Sequence, residues 1–141
     1  MSDQTLRIVI VAMIALHGLG HGGALGALAW IAARPDSNTG AWTAARSWLL
    51  TSLPSGTATV VAGTFWTVAL VGFLAAVLSF LGILVPGDAW RPLAIGSAFV
   101  STVGIVLFFG NWPLFNTVAA LGVNVAVLVA LVGLNWVPPT A

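Results

Sequence analysis

The sequence predicts an all-α integral membrane protein, a four-helix bundle running up-down-up-down. Three observations lead there. Of 141 residues, 60% are hydrophobic and only 5% charged, against roughly 25% charged in a soluble domain. The charges, Asp3, Arg7, Arg34, Asp36, Arg46, Asp88 and Arg91, leave long uncharged stretches at 8–33, 47–87 and 92–141. Proline- and glycine-rich turns divide the longer stretches. A helix needs about 20 apolar residues to cross a hydrocarbon layer of about 30 Å.

The first stretch holds one span, about 8–33. Pro54-Ser55-Gly56 interrupts the second, which leaves one span at 57–85. Gly110-Asn111-Trp112-Pro113 interrupts the third, giving spans at 92–109 and 114–137 joined as an antiparallel hairpin. Pro86-Gly87-Asp88 is turn chemistry, Pro92 suits a first helical turn, and Pro138-Pro139 stops the last helix. Trp30, Trp90, Trp112 and Trp136 fall at span ends, as an aromatic belt requires, while Trp66 lies inside span 2. The long connection after span 1 carries Trp42, Ala45, Leu49 and Leu53 at helical spacing. Residues 41–53 are therefore expected to form a short interfacial helix, with an irregular loop as the alternative. The chain reads as a single transmembrane domain, 1–141, without internal repeats.

Two arginines on each side give no orientation from charge, although an even number of crossings puts both termini on one side, taken as the inside. Met1–Leu16 has some features of a cleaved leader, but the distance from Leu16 to Trp30 favours an uncut first helix. Four scattered arginines make no basic patch, so a nucleic-acid partner is excluded. The absence of cysteine excludes disulfides and thiol chemistry.

His17-Gly18-Leu19-Gly20-His21-Gly22-Gly23 is the most informative segment. Residues four apart lie about 40° apart around a helix, so His17 and His21 share a face. Ionisable groups at membrane depth usually turn to a bundle interior. The pair can be structural, hydrogen-bonded across helices. It can supply two nitrogens to a transition metal, though no Glu or Cys completes the set. It can give one axial ligand to haem, or one from each of two protomers, since adjacent turns of one helix cannot reach both faces of a macrocycle. It can also hold a polar ligand such as a quinone or a lipid head. No cofactor is the expectation, with haem or a transition metal as alternatives.

The segment also spells G-x-G-x-x-G, but inside an apolar span it lacks the strand and helix N-terminus that a nucleotide site needs. Gly18, Gly22 and Gly26 instead form a small-xxx-small stripe, expected to pack closely against another helix. In span 4, Asn116, Ala120, Asn124, Leu131 and Asn135 fall near one face. Asn124 is mid-span, where an unpaired amide is costly, and His17 or His21 is its expected partner. Ser97, Ser101 and Gly104 form a weakly polar face on span 3, and Gly72, Ala76 and Ser79 one on span 2. Asp88 and Arg91 are expected to pair at the surface, and Arg7 and Arg34 to anchor span 1 by snorkelling.

No membrane-embedded carboxylate, lysine or complete triad is present for coupled transport or hydrolysis. The leading expectation is a non-enzymatic accessory or assembly protein, whose partners are the bilayer and other membrane subunits or further copies of itself. The alternative is a small redox-associated or ligand-binding protein using His17 and His21, with Asn124 beside them.

The stretch Arg7–Gly26 with Leu16-His17-Gly18-Leu19-Gly20-His21, and Trp112-Pro113-Leu114-Phe115-Asn116-Thr117 leading to Asn124, resemble a group of small, uncharacterised bacterial four-helix membrane proteins with an L-H-G-x-x-H first helix. The Arg-apolar-His-Gly opening is more distantly similar to DoxX-like proteins, in which Lys often stands where this chain has Gly20. The resemblance implies a multi-pass protein of the bacterial cell membrane and, through the DoxX-like proteins, a setting in oxidoreductase or quinone-dependent complexes.

Overall fold

The structure, a computed structural model, describes residues 2–34 and 46–138. It contains four helices, α1 (Asp3–Ala32), α2 (Ser55–Phe80), α3 (Trp90–Leu107) and α4 (Leu114–Leu128), the last running on into a π turn at Val129–Gly133. All four, counting the π turn with α4, are long and apolar enough to cross a membrane. The chain is thus an all-α bundle of four candidate transmembrane helices.

The ends differ from the sequence expectation for local reasons. Helix α1 starts at Asp3 because the Ser2 hydroxyl caps it, accepting from Thr5 N at 3.2 Å. Helix α2 stops at Phe80, short of residue 85, because the chain turns left-handed at Gly82 (φ 68°) and again at Leu84 (φ 63°). Ser79 Oγ then donates to Pro86 O at 2.5 Å and ties the turn back to the helix. The hairpin between α3 and α4 turns at Gly110 (φ 88°), where a side chain would be strained.

Helix α4 loses its regular pitch in the π turn, and Asn135 (φ 47°) ends it before residue 137. Arg91 explains part of this. Its Nη2 donates to Leu131 O at 2.5 Å and to Asn135 Oδ1, capturing a carbonyl near the helix end. Arg91 therefore crosses to α4, and the expected surface pair with Asp88 does not form. The other two described helix-flanking arginines rest on aromatic rings: Arg7 Cζ lies 5.4 Å from the Phe80 centroid, and Arg34 Cζ 4.9 Å from that of Trp30.

Of the expected interfacial helix at 41–53, residues 41–45 lie outside the described residues. Residues 46–53 are not helical but form turns. Side chain–backbone bonds compete successfully there: Ser47 Oγ accepts from Leu50 N at 3.0 Å, and Trp48 Nε1 donates to Val106 O at 2.6 Å. Asn111 Nδ2 also bonds Arg46 O at 2.9 Å, fastening the segment to the α3–α4 hairpin.

Packing is uneven around the bundle. Helix α2 packs along both α1 and α3, α3 packs on α4, and α1 and α4 barely touch. Close approach is set by glycines: a Cβ on Gly104 would stand 2.9 Å from Phe65 Cβ, and one on Gly72 would strike Ser97 Oγ. Gly18 is equally tight, 3.0 Å from Phe73 Cβ, while Gly22 makes ordinary contact with Leu70. Among the described residues a Cβ on Gly26 meets nothing within 4 Å, so the close contact expected along the α1 stripe is seen at Gly18 and Gly22. Ala58, Ala62, Trp66, Ala69, Phe73 and Ala76 form the buried stripe of α2, where small residues alternate with two large rings.

Candidate functional site

The middle of α1 places His17 and His21 one turn apart, and all four helices converge on them. His17 Nε2 lies 2.8 Å from Asn124 Oδ1 on α4, so the hydrogen bond expected for Asn124 is made to His17. Asn124 Nδ2 donates to Ser101 Oγ on α3 at 2.8 Å, and Ser101 Oγ lies 3.0 Å from His21 Nε2. The chain of bonds runs from α1 to α4, to α3, and back to α1. Asn124 and Ser101 are fully buried and His21 is 5% exposed. Buried amides and hydroxyls require such partners.

Helix α2 supplies the aromatic bed. The His21 ring lies nearly parallel to Trp66, with centroids 5.4 Å apart at 14°, and parallel to Phe73 at 6.1 Å. His17 stands edge-on to Phe73 at 4.8 Å and to His21 at 5.0 Å. Trp66 Nε1 is buried without a hydrogen-bond partner among the described residues. Trp66 and Phe73 were not recognisable as site residues from the histidine segment. Their signal was the seven-residue spacing of two large rings in a stripe of alanines on α2.

Because α1 and α4 barely touch, a cleft of about 710 Å³ opens between them. His17 and His21 bring polar atoms to its lining, and Met13, Leu16, Trp66, Ala120 and Val123 bring apolar surface. Gly20 and Gly23 also line it, where a Cβ would meet nothing within 4 Å. Glycine at these two positions leaves that part of the cleft unfilled. Asn116 and Thr117 lie at its α4 margin, with Thr117 Oγ1 bonded to Pro113 O at 3.3 Å. Asn135, expected on the same face as Asn124, instead meets Arg91 near the helix end.

No protein-family model, curated protein or solved structure matches this chain.

The arrangement favours some ligands over others. Two imidazoles with both Nε2 atoms engaged are a poor donor set for a metal that takes four ligands, and no third His, Cys, Asp or Glu joins them among the described residues. Among the described residues, those lining the cleft include no arginine.

Proposed function

We propose that this integral membrane protein binds a lipophilic ligand, admitting it from the bilayer between α1 and α4 and holding its polar end at His17 and His21. The observation that supports this is the cleft itself: a mostly apolar space between α1 and α4 that both histidines line, with their hydrogen-bond partners Asn124 and Ser101 behind them. Ionisable residues at membrane depth are kept where they serve a site or pathway. The DoxX-like opening of α1 supports a redox-associated setting for that ligand. Asn124 acts here as a positioning residue, fixing His17 rather than touching the ligand.

The test is photolabelling of the full chain in nanodiscs with a diazirine-bearing long-chain alcohol. Labelling is expected to concentrate on Met13, Leu16, Ala120 and Val123, and to fall in Gly20→Phe, which fills the cleft from a position with free space around it. Labelling of Val60, an exposed residue of α2, serves as the reference for general lipid contact. Even labelling around all four helices would refute the proposal.

The open seam between α1 and α4 also favours a second reading, an accessory subunit whose partner inserts a helix there. That reading expects a stoichiometric membrane partner in mild detergent, lost in Gly20→Phe.

A further inference from the structure

The polar lining of the cleft has a defined hydrogen-bond polarity, and it follows from the bonds already described. Asn124 Oδ1 can only accept, so His17 carries its proton on Nε2. Its Nδ1 is then a bare acceptor. Asn124 Nδ2 donates to Ser101 Oγ, leaving the serine hydroxyl one proton to give.

Neighbouring hydroxyls on α3 give theirs to the carbonyl four residues back, as Ser97 does to Leu93 O and Thr102 to Ala98 O. Ser101 makes no such bond, and its remaining partner is His21 Nε2. Ser101 therefore donates to His21, whose own proton sits on Nδ1. The two histidines are opposite tautomers. One presents Nδ1 as an acceptor and the other presents Nδ1–H as a donor, and neither Nδ1 has a hydrogen-bond partner among the described residues. Both rings line the cleft, and His21 is 95% buried, its exposure being 5%. Neither Nδ1 is among the fully buried side-chain atoms that lack a partner, so both are accessible to a molecule in the cleft.

We infer that the cleft selects a lipophilic molecule ending in a hydroxyl group, an alcohol or phenol, whose O–H donates to His17 Nδ1 while its oxygen accepts from His21 Nδ1–H. This rests on the ligand-binding reading above and narrows it to one chemistry. Rings with centroids 5.0 Å apart are near enough for one oxygen to serve both, with bonds of about 2.8 Å to each. A ketone, quinone or ether oxygen can satisfy His21 but leaves His17 unpaired. The absence of charged side chains from the cleft lining among the described residues matches a neutral head.

The test has two stages. Long-range ¹⁵N–¹H spectra of the full chain in nanodiscs, labelled on histidine, read the tautomers directly. His17 is expected as Nε2–H and His21 as Nδ1–H; the same tautomer at both overturns the inference. Hexadecanol, its methyl ether and hexadecane are then titrated into the same sample. The alcohol is expected to shift both Nδ1 signals and to bind about tenfold more tightly than the ether, the scale of one buried hydrogen bond. Ser101→Ala, which removes the donor that holds His21 in place, is expected to mix the His21 tautomers and abolish the preference while the photolabelling of the cleft persists. Equal binding of alcohol and ether, with labelling intact, overturns the hydroxyl assignment and leaves the ligand-binding reading standing. If no probe binds and labelling is even, both fall.

Discussion

Replacing Asn124 by alanine should weaken the bundle more than any other single polar substitution in α4. Asn124 is fully buried and makes two hydrogen bonds, to His17 on α1 and to Ser101 on α3. Interhelical bonds in membranes average about 0.6 kcal/mol each, so the pair accounts for about 1 kcal/mol. The larger loss comes from what is stranded: the His17 Nε2–H would be left in an apolar interior at a cost of about 1–3 kcal/mol. The expected destabilisation is therefore about 2–4 kcal/mol.

Because Asn124 holds the one hydrogen bond described between α1 and α4, the effect should also appear as separation of those two helices. The assay is reversible unfolding in mixed micelles at increasing SDS, with a spin-label pair on the lipid-facing sides of α1 and α4 reporting their distance. Asn116→Ala, at an exposed position of the same helix, is the control and should change stability by no more than about 0.5 kcal/mol. A loss at Asn124 no larger than that of the control, with an unchanged interhelical distance, would show that the polar chain does not hold the bundle together.

Two further outcomes follow from packing. Gly104→Ala should destabilise by about 1–3 kcal/mol through overpacking, since its Cβ would stand 2.9 Å from Phe65 Cβ and 3.1 Å from Trp66 Cζ3; Gly26→Ala, with no described neighbour within 4 Å, should be neutral or stabilising in the same unfolding assay. Trp66→Phe should cost well under the roughly 3–5 kcal/mol typical of deleting a buried Trp side chain, because the lost ring area is offset by removal of an indole N–H that has no partner among the described residues; a loss in that range would mean the donor is satisfied.

The four crossings are written in the spacing of seven charges and a few prolines, because lipid imposes length and polarity on every crossing segment. The partnership of Asn124 was legible for the same reason: a mid-span amide must be paired, and few groups in this chain can pair with it. Helix ends were less legible. Left-handed turns at Gly82 and Leu84 shorten α2; Gly82 is a helix-ending glycine within the apolar run, whereas nothing marks Leu84. The π turn and its arginine depend on Arg91 reaching an element 40 residues later. Glycine spacing alone overstated the packing of α1, because close contact needs a facing surface as well as a missing side chain. Gly18 faces Phe73, whereas a Cβ on Gly26 meets none of the described residues within 4 Å. The tight contacts at Gly72 and Gly104 depend on which helices become neighbours. Trp66 stood out as a misplaced aromatic, but its position beneath His21 is a property of the assembled bundle.

The bond from His17 to Asn124 joins residues 107 positions apart in the chain. During synthesis the first helix is made, and can leave the ribosome, long before the last exists. Until then His17 is without the Asn124 amide that bonds it in the finished bundle. Helices α1, α2 and α3 can pack in order of emergence, but the chain of polar bonds closes only when α4 arrives.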